Sequence, residues 1–136
     1  MLPKIVIIAC TLSGEARGEG HDGMARVASV IWTSAASHSI DDLAAECLKP
    51  GRYSFWNARE PDYETVALLN HAPEDVTAYK DAMSISWTMS AGMFAPVINA
   101  THYVEARLYD SLYGQPKWIK AMAVVERFGK HVFLRG

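Results

Sequence analysis

Apolar positions along this chain follow first a helical and then an alternating period, and the changeovers mark the expected elements. Ile5-Val6-Ile7-Ile8-Ala9 is a continuous apolar run behind Pro3, which suits a first helical turn. Together they predict a buried helix to about Ala16. Met24, Val27, Ala28, Ile31 and Ala35 recur at helical spacing, predicting a second helix from Gly23 to about Ala36. Ser39, followed three residues later by Asp42, reads as a capping box that opens a short helix to Leu48. Lys49-Pro50-Gly51 ends it and starts a loop carrying Arg52-Tyr53-Ser54-Phe55-Trp56-Asn57. Another short helix is expected from Glu64 to His71. Pro73-Glu74-Asp75 then begins a longer one through about Ser90, with Val76, Tyr79, Met83 and Trp87 on one face.

Past that helix the pattern changes. Gly92 to Val104 reads as irregular or extended, and a helix near Pro116 should take in Trp118 to Ala123. Val124 to Arg127 and His131 to Leu134 favour strands, with Gly129 at the turn between them. The expected fold class is α+β, predominantly helical, in one domain over residues 1–136 with a small antiparallel element near the C-terminus.

Composition narrows the function classes more than it chooses among them. Of 136 residues, 50% are apolar and 21% charged, ordinary for a soluble globular protein. A net charge of −2 leaves no basic footprint for nucleic acid or an anionic membrane surface. No apolar run approaches the roughly 20 residues of a membrane span, so no stable membrane insertion is expected. Lys4 and the short apolar stretch after it imitate a signal peptide. The stretch runs straight into the next motif without a separate cleavage region, so it reads as the first helix of the mature domain. Cys10 and Cys47 lie inside apolar helical patterns and are expected to be buried free thiols, a disulfide staying open for an oxidising compartment. Among His21, His38, His71, His102 and His131 no two have the i, i+4 spacing of a metal-binding helix. Neither a metal nor another cofactor is expected.

The chemistry concentrates in Gly14-Glu15-Ala16-Arg17-Gly18-Glu19-Gly20. The apolar helix delivers Glu15 to its own C-terminal end, among glycines that permit unusual backbone conformations. Both the negative end of the helix dipole and apolar surroundings disfavour an ionised carboxylate. A protonated glutamate in a cleft is what a glycosidic leaving group requires of a general acid; the bland alternative is a solvated residue after a core helix. Glu19 is the obvious second carboxylate, or else it caps the next helix or pairs with Arg17. Asp22, Glu60, Asp62 and Glu64 read mostly as solvated charges. Arg17 either holds a polar group of the substrate or fixes the loop. Tyr53, Phe55 and Trp56 either stack on sugar faces or join the core, Phe55 being expected inside. Ser54 and Asn57 are candidates for hydrogen bonds to a bound substrate. His102 and Tyr103 either orient Glu15 and contact substrate or form a structural pair. His131 reads as structural, and Trp118 as core or cleft wall.

Five blocks in order, GEARGEG at 14–20, RYSFWN at 52–57, ATHYV at 100–104, PKW at 116–118 and GKHVF at 129–133, resemble the SleB-type cell-wall hydrolases. That family comprises spore-cortex-lytic enzymes and related bacterial and phage peptidoglycan-degrading domains. The resemblance spans essentially the whole chain. It implies a lysozyme-like catalytic domain whose substrate is peptidoglycan, cut between N-acetylmuramic acid and N-acetylglucosamine by the lytic transglycosylase route. The family's acid falls on Glu15, with Arg17, Glu19, Tyr53, Ser54, Trp56, Asn57, His102 and Tyr103 as substrate-binding candidates. Relatives usually carry a smaller residue near Phe55, as in FSCWN, so the groove here is expected to differ in shape. Alternatives are a hydrolytic muramidase with a second carboxylate, a metal-dependent amidase or peptidase, and a non-catalytic wall-binding module. A monomer acting at the bacterial cell wall is expected. The lack of a recognisable leader suits a phage endolysin held in the cytoplasm until released.

Overall fold

The computed structural model describes residues 2–111 and 116–136. Helix α1 spans Lys4–Ala16, and the Pro3 carbonyl accepts from the N–H groups of Val6 and Ile7 at 3.0 and 3.1 Å. Every residue from Ile7 to Ser13 is buried, which explains why this helix is apolar around its circumference and not along one stripe. One 3-10 turn, Arg17–Glu19, joins it to α2, Gly20–Ser34. Helix α3, Ile40–Cys47, begins where the Ser39 hydroxyl accepts the Asp42 N–H at 3.1 Å. The reciprocal half of that capping box is absent, because the Asp42 carboxylate accepts from the Ser37 hydroxyl instead.

A 3-10 turn at Ser54–Trp56 interrupts the loop that follows, and α4 covers Tyr63–Leu68. Helix α5, Pro73–Ser90, has proline in its first turn, and its Asp75 carboxylate accepts the Ala72 N–H at 3.2 Å. Strand β1, His102–Glu105, is followed by the short helices α6, Ala106–Tyr109, and α7, Lys117–Lys120. Strands β2, Ala123–Phe128, and β3, His131–Arg135, complete an antiparallel sheet in the order β1-β3-β2. Tyr103 stands opposite Phe133 and Glu105 opposite His131, while β2 carries an irregularity between Val124 and Glu126.

Helix α1 is the axis of the core, packed by α2, α3 and α5. Leu12, Met24, Ile31, Leu43 and Met89 are wholly enclosed around it. Truncating such a residue, for example Leu12→Ala, costs about 2–5 kcal/mol. Alternation along β3 divides its side chains between two apolar clusters. Phe133 enters the helical core, whereas Val132 and Leu134 join Val104 and Ile119 in a second cluster. Arg26 ties α2 to β2 by pairing with Glu126 and covering the Phe128 ring at 3.9 Å. The sheet is thereby held against the helices, and a cleft opens along the seam.

The architecture is the mainly helical α+β arrangement expected from the sequence. Three local differences stand out. Helix α2 starts at Gly20, earlier than Gly23. Residues 102–105 form a strand within the stretch read as irregular, since β3 supplies their partners. Ala123 belongs to β2, where it pairs with Arg135, and not to the preceding helix. Cys10 and Cys47 are both buried and free, and burial pushes each thiol up to about 12. No helix among the described residues is long and apolar enough to cross a membrane.

Candidate active site

Glu15 is the penultimate residue of α1 and stands half-exposed in a cleft of about 1130 Å³. Why it faces that cleft can be followed from the sequence. Gly14 precedes it, and a Cβ there would overlap the Phe55 ring. Without a side chain at 14, the 52–57 segment lies directly on α1. The indole N–H of Trp56 donates to the Thr11 hydroxyl at 2.9 Å and pins the segment down. This approach brings the Phe55 backbone N–H to Glu15 Oε2 at 2.9 Å and the Ser54 hydroxyl to the same oxygen at 3.2 Å. Of the glycines around Glu15, only Gly20 has a positive φ, at 72°. Gly14 acts by permitting contact and not by an unusual conformation.

From the opposite wall the Tyr103 hydroxyl donates to Glu15 Oε1. Burial, and next the adjacent Glu15 charge, hold the Tyr103 phenol well above its ordinary value, so it keeps its proton and remains a donor. Both carboxylate oxygens are therefore held by donors, one from each wall. The surroundings are more polar than the apolar run before Glu15 implied.

Beneath the floor a buried carboxylate organises the loop that leads into β1. Glu46 is 1% exposed, and its Oε2 accepts from Arg52 Nε and the Tyr53 hydroxyl, each at 2.9 Å. Lys49 Nζ lies 2.8 Å from the other oxygen. Burial alone pushes this carboxyl up, but donation from Lys49, Arg52 and Tyr53 outweighs it and holds Glu46 below its ordinary value. Arg52 also donates to the Thr101 carbonyl and, at 2.7 Å, to the Ser34 hydroxyl. A single guanidinium thus joins α2, α3 and the residue before β1. That junction sets where Tyr103 begins.

The predicted site residues separate into two groups. Glu15, Tyr53, Ser54, His102 and Tyr103 line the cleft together; Arg17, Glu19, Trp56 and Asn57 do not. Arg17 pairs with Asp75 at the start of α5, at 2.9 Å. Glu19 neither caps α2 by its side chain nor meets Arg17. Its carboxylate instead accepts the Lys130 N–H at 2.8 Å in the β2–β3 turn. Trp56 is half-buried on α1 with its ring edge-on to Phe55, and Asn57 is exposed just after the 3-10 turn. Tyr53 does line the cleft, yet it is only 1% exposed and its hydroxyl is engaged by Glu46, which leaves no face for a sugar. Phe55 is buried, as its sequence context suggested.

Other cleft residues carried weaker sequence signals. Trp118 is 43% exposed on the cleft wall, with its ring 5.6 Å from that of His102. Burial, then the charge of Arg52, lower the His102 pKa, which favours a neutral imidazole there. Glu105 and His131 also line the cleft. Apart from Glu15, Glu105 is the one carboxylate doing so among the described residues. No group of three His, Cys, Asp or Glu side chains among those residues is arranged to hold a metal ion.

A glutamate at the end of a core helix, facing a three-stranded sheet across a cleft, defines an α+β domain of a kind seen in solved structures. One is the catalytic domain of the germination-specific lytic transglycosylase SleB from Bacillus anthracis. It aligns over 97% of this chain and 93% of its own, with a TM-score of 0.58 and 21% identity. The catalytic domain of the Bacillus cereus SleB protein aligns over 97% and 89%, with a TM-score of 0.57 and 22% identity. At these identities the likeness is one of fold. No family model matches the chain, and no curated protein does.

Proposed function

We propose that this protein cleaves peptidoglycan glycan strands between N-acetylmuramic acid and N-acetylglucosamine, as a lytic transglycosylase with Glu15 as its acid and base. The observation that carries this reading is the Glu15 carboxylate, presented in the cleft with Ser54 and Phe55 on one oxygen and Tyr103 on the other. The fold shared with two SleB catalytic domains, one of them from a lytic transglycosylase, supports it. Glu15 gives its proton to the glycosidic oxygen as the bond to the muramoyl anomeric carbon breaks. The muramoyl 6-hydroxyl then attacks that carbon and returns its proton to Glu15, closing a 1,6-anhydro ring. No water enters the product, and Glu15 ends as it began. The exposed Trp118 face offers a platform for a sugar ring, and Ser54 a hydroxyl for an N-acetyl group.

Glu105 supports a second reading, hydrolysis. Its side chain is 66% exposed and lines the same cleft, where it would activate water as the second carboxylate of a muramidase. Glu19 does not fit that role, being 8% exposed and engaged in the turn.

The test is release of soluble fragments from purified peptidoglycan by Glu15→Gln. A folded variant with activity lowered on the order of 100- to 10,000-fold is the expected result, that being what general acid–base catalysis typically contributes. Undiminished release with an intact thermal transition would exclude Glu15 as the acid.

A further inference from the structure

Glu19 presents a problem that the proposed chemistry leaves unsolved. A carboxylate only 8% exposed is costly to desolvate, and this one neither caps a helix nor lines the cleft. Yet the surrounding backbone is cut away to admit it. At Gly129, where φ is +55°, a Cβ would fall on the Glu19 carboxylate. At Gly23 a Cβ would fall on the Glu19 Cβ. With the Lys130 N–H donating at 2.8 Å, the side chain is wedged into the β2–β3 turn. If holding the turn were its whole task, a neutral acceptor would suffice at lower desolvation cost.

The same Glu19 oxygen lies 3.5 Å from His131 Nδ1. His131 is itself nearly enclosed, at 12% exposed, but reaches the cleft. Its ring stands perpendicular to that of Tyr103, with centroids 5.0 Å apart and planes at 81°, and Phe133 adjoins both rings. The Tyr103 hydroxyl reaches Glu15 Oε1. A continuous line of contacts therefore runs from a buried carboxylate, through an imidazole and a phenol, to the acid.

We propose that Glu19 and His131 form a positioning pair that holds the Tyr103 hydroxyl on Glu15; the inference rests on reading Glu15 as the acid. A tyrosine side chain swings about the torsion nearest its backbone, and a small rotation there carries its hydroxyl away from Glu15. The second torsion only spins the ring about the axis on which the hydroxyl lies. The His131 ring, packed perpendicular against the Tyr103 ring, blocks that swing from one side. Glu19 keeps His131 from rotating in turn, being fixed by the turn backbone and not by another mobile side chain. Neither residue touches the reacting atoms, so both act through Tyr103.

The experiment is a double-mutant cycle on soluble peptidoglycan fragments. It measures kcat and KM for Glu19→Gln and His131→Asn, each in the native background and in Tyr103→Phe, with thermal unfolding of every variant. Asn keeps a polar group near the position of Nδ1 while removing the ring that packs against Tyr103. Alone, each change is expected to lower kcat on the order of tenfold with KM within about twofold, as misplacement of a catalytic group does. In the Tyr103→Phe background the same changes should alter kcat by less than about twofold, because the hydroxyl they position is gone. Losses that multiply undiminished in that background, or an unchanged kcat, would overturn the proposal. Should Glu19→Gln fail to fold, His131→Asn completes the cycle alone. Glu15→Gln measured alongside separates the two ideas. If it is inactive while the Glu19 and Tyr103 losses multiply, positioning fails and the acid stands; if it is active, both fail.

Discussion

The helical wall of the cleft, α1 with the 52–57 segment, and the sheet wall, β1 with β3, meet at Glu15 but are held by different forces. Apolar burial fixes the helical wall: Ile7 through Leu12 are enclosed on every side, and Phe55 lies against a glycine. Polar anchoring fixes the sheet wall. Its approach is set by the Glu46–Arg52–Thr101 junction, and its far end by Glu19 in the β2–β3 turn. Packing places a group to within a rotamer, while hydrogen bonds fix its angle. Glu15 thus comes from the wall that tolerates least volume change and takes donors from both, Ser54 and Phe55 on the helical side and Tyr103 on the sheet side.

That contrast is broken most severely from the polar side. Glu46→Gln leaves the Arg52 guanidinium without its carboxylate in a buried setting, and should cost about 3–5 kcal/mol in urea unfolding. Gly14→Ala attacks the helical wall by volume, since its methyl group meets the Phe55 ring. Overpacking of this kind should cost about 1–3 kcal/mol. It should also lower activity, because the Phe55 N–H retreats from Glu15. A Gly14→Ala protein with native stability and activity would show that the close approach is unimportant. Tyr103→Phe keeps the ring and removes one hydroxyl, so unfolding should shift by only about 0.5–1.5 kcal/mol. Its activity should still fall on the order of tenfold, as Glu15 loses the donor that orients it.

Two milder measurements sharpen the comparison. Glu46 titrates lower in the folded protein than in the unfolded chain. Its contribution is therefore present above the ordinary carboxylate value and lost as pH falls through the lower, folded one. Stability should decline across that acid window, and less steeply in Glu46→Gln; equal slopes would show that Glu46 is not the group responsible. On the helical side, burial pushes the Cys10 and Cys47 thiols up to about 12, so neither should react with a thiol reagent until the protein unfolds. Rapid labelling of the native protein would contradict the packing described for α1 and α3.

The same contrast governs what could be read from the sequence. Apolar spacing and end signals are local, so α1 and the Pro73–Ser90 helix were legible, as was the Ser39 cap. Strand β1 was not, because His-Tyr-Val-Glu becomes a strand only by pairing with β3. Within the site, Glu15, Ser54 and Tyr103 came from ordered motif blocks. Arg17 and Glu19 were misplaced by proximity within one motif, each finding its partner far along the chain, 58 residues away for Arg17 and 111 for Glu19. The Phe55 N–H was invisible because a backbone donor leaves no mark on residue identity. Tyr53 reads the same in sequence whether its hydroxyl meets a sugar or a buried glutamate, and here it meets Glu46.

In the proposed mechanism Glu15 alone serves as acid and then base. This is tested most directly by mass spectrometry of the fragments released from purified peptidoglycan by the wild-type protein, with Glu15→Gln as control. Disaccharide peptides lighter by one water than their reducing-end counterparts, absent from the control, are the expected result. Reducing muramoyl ends would contradict the one-carboxylate account and turn attention to Glu105.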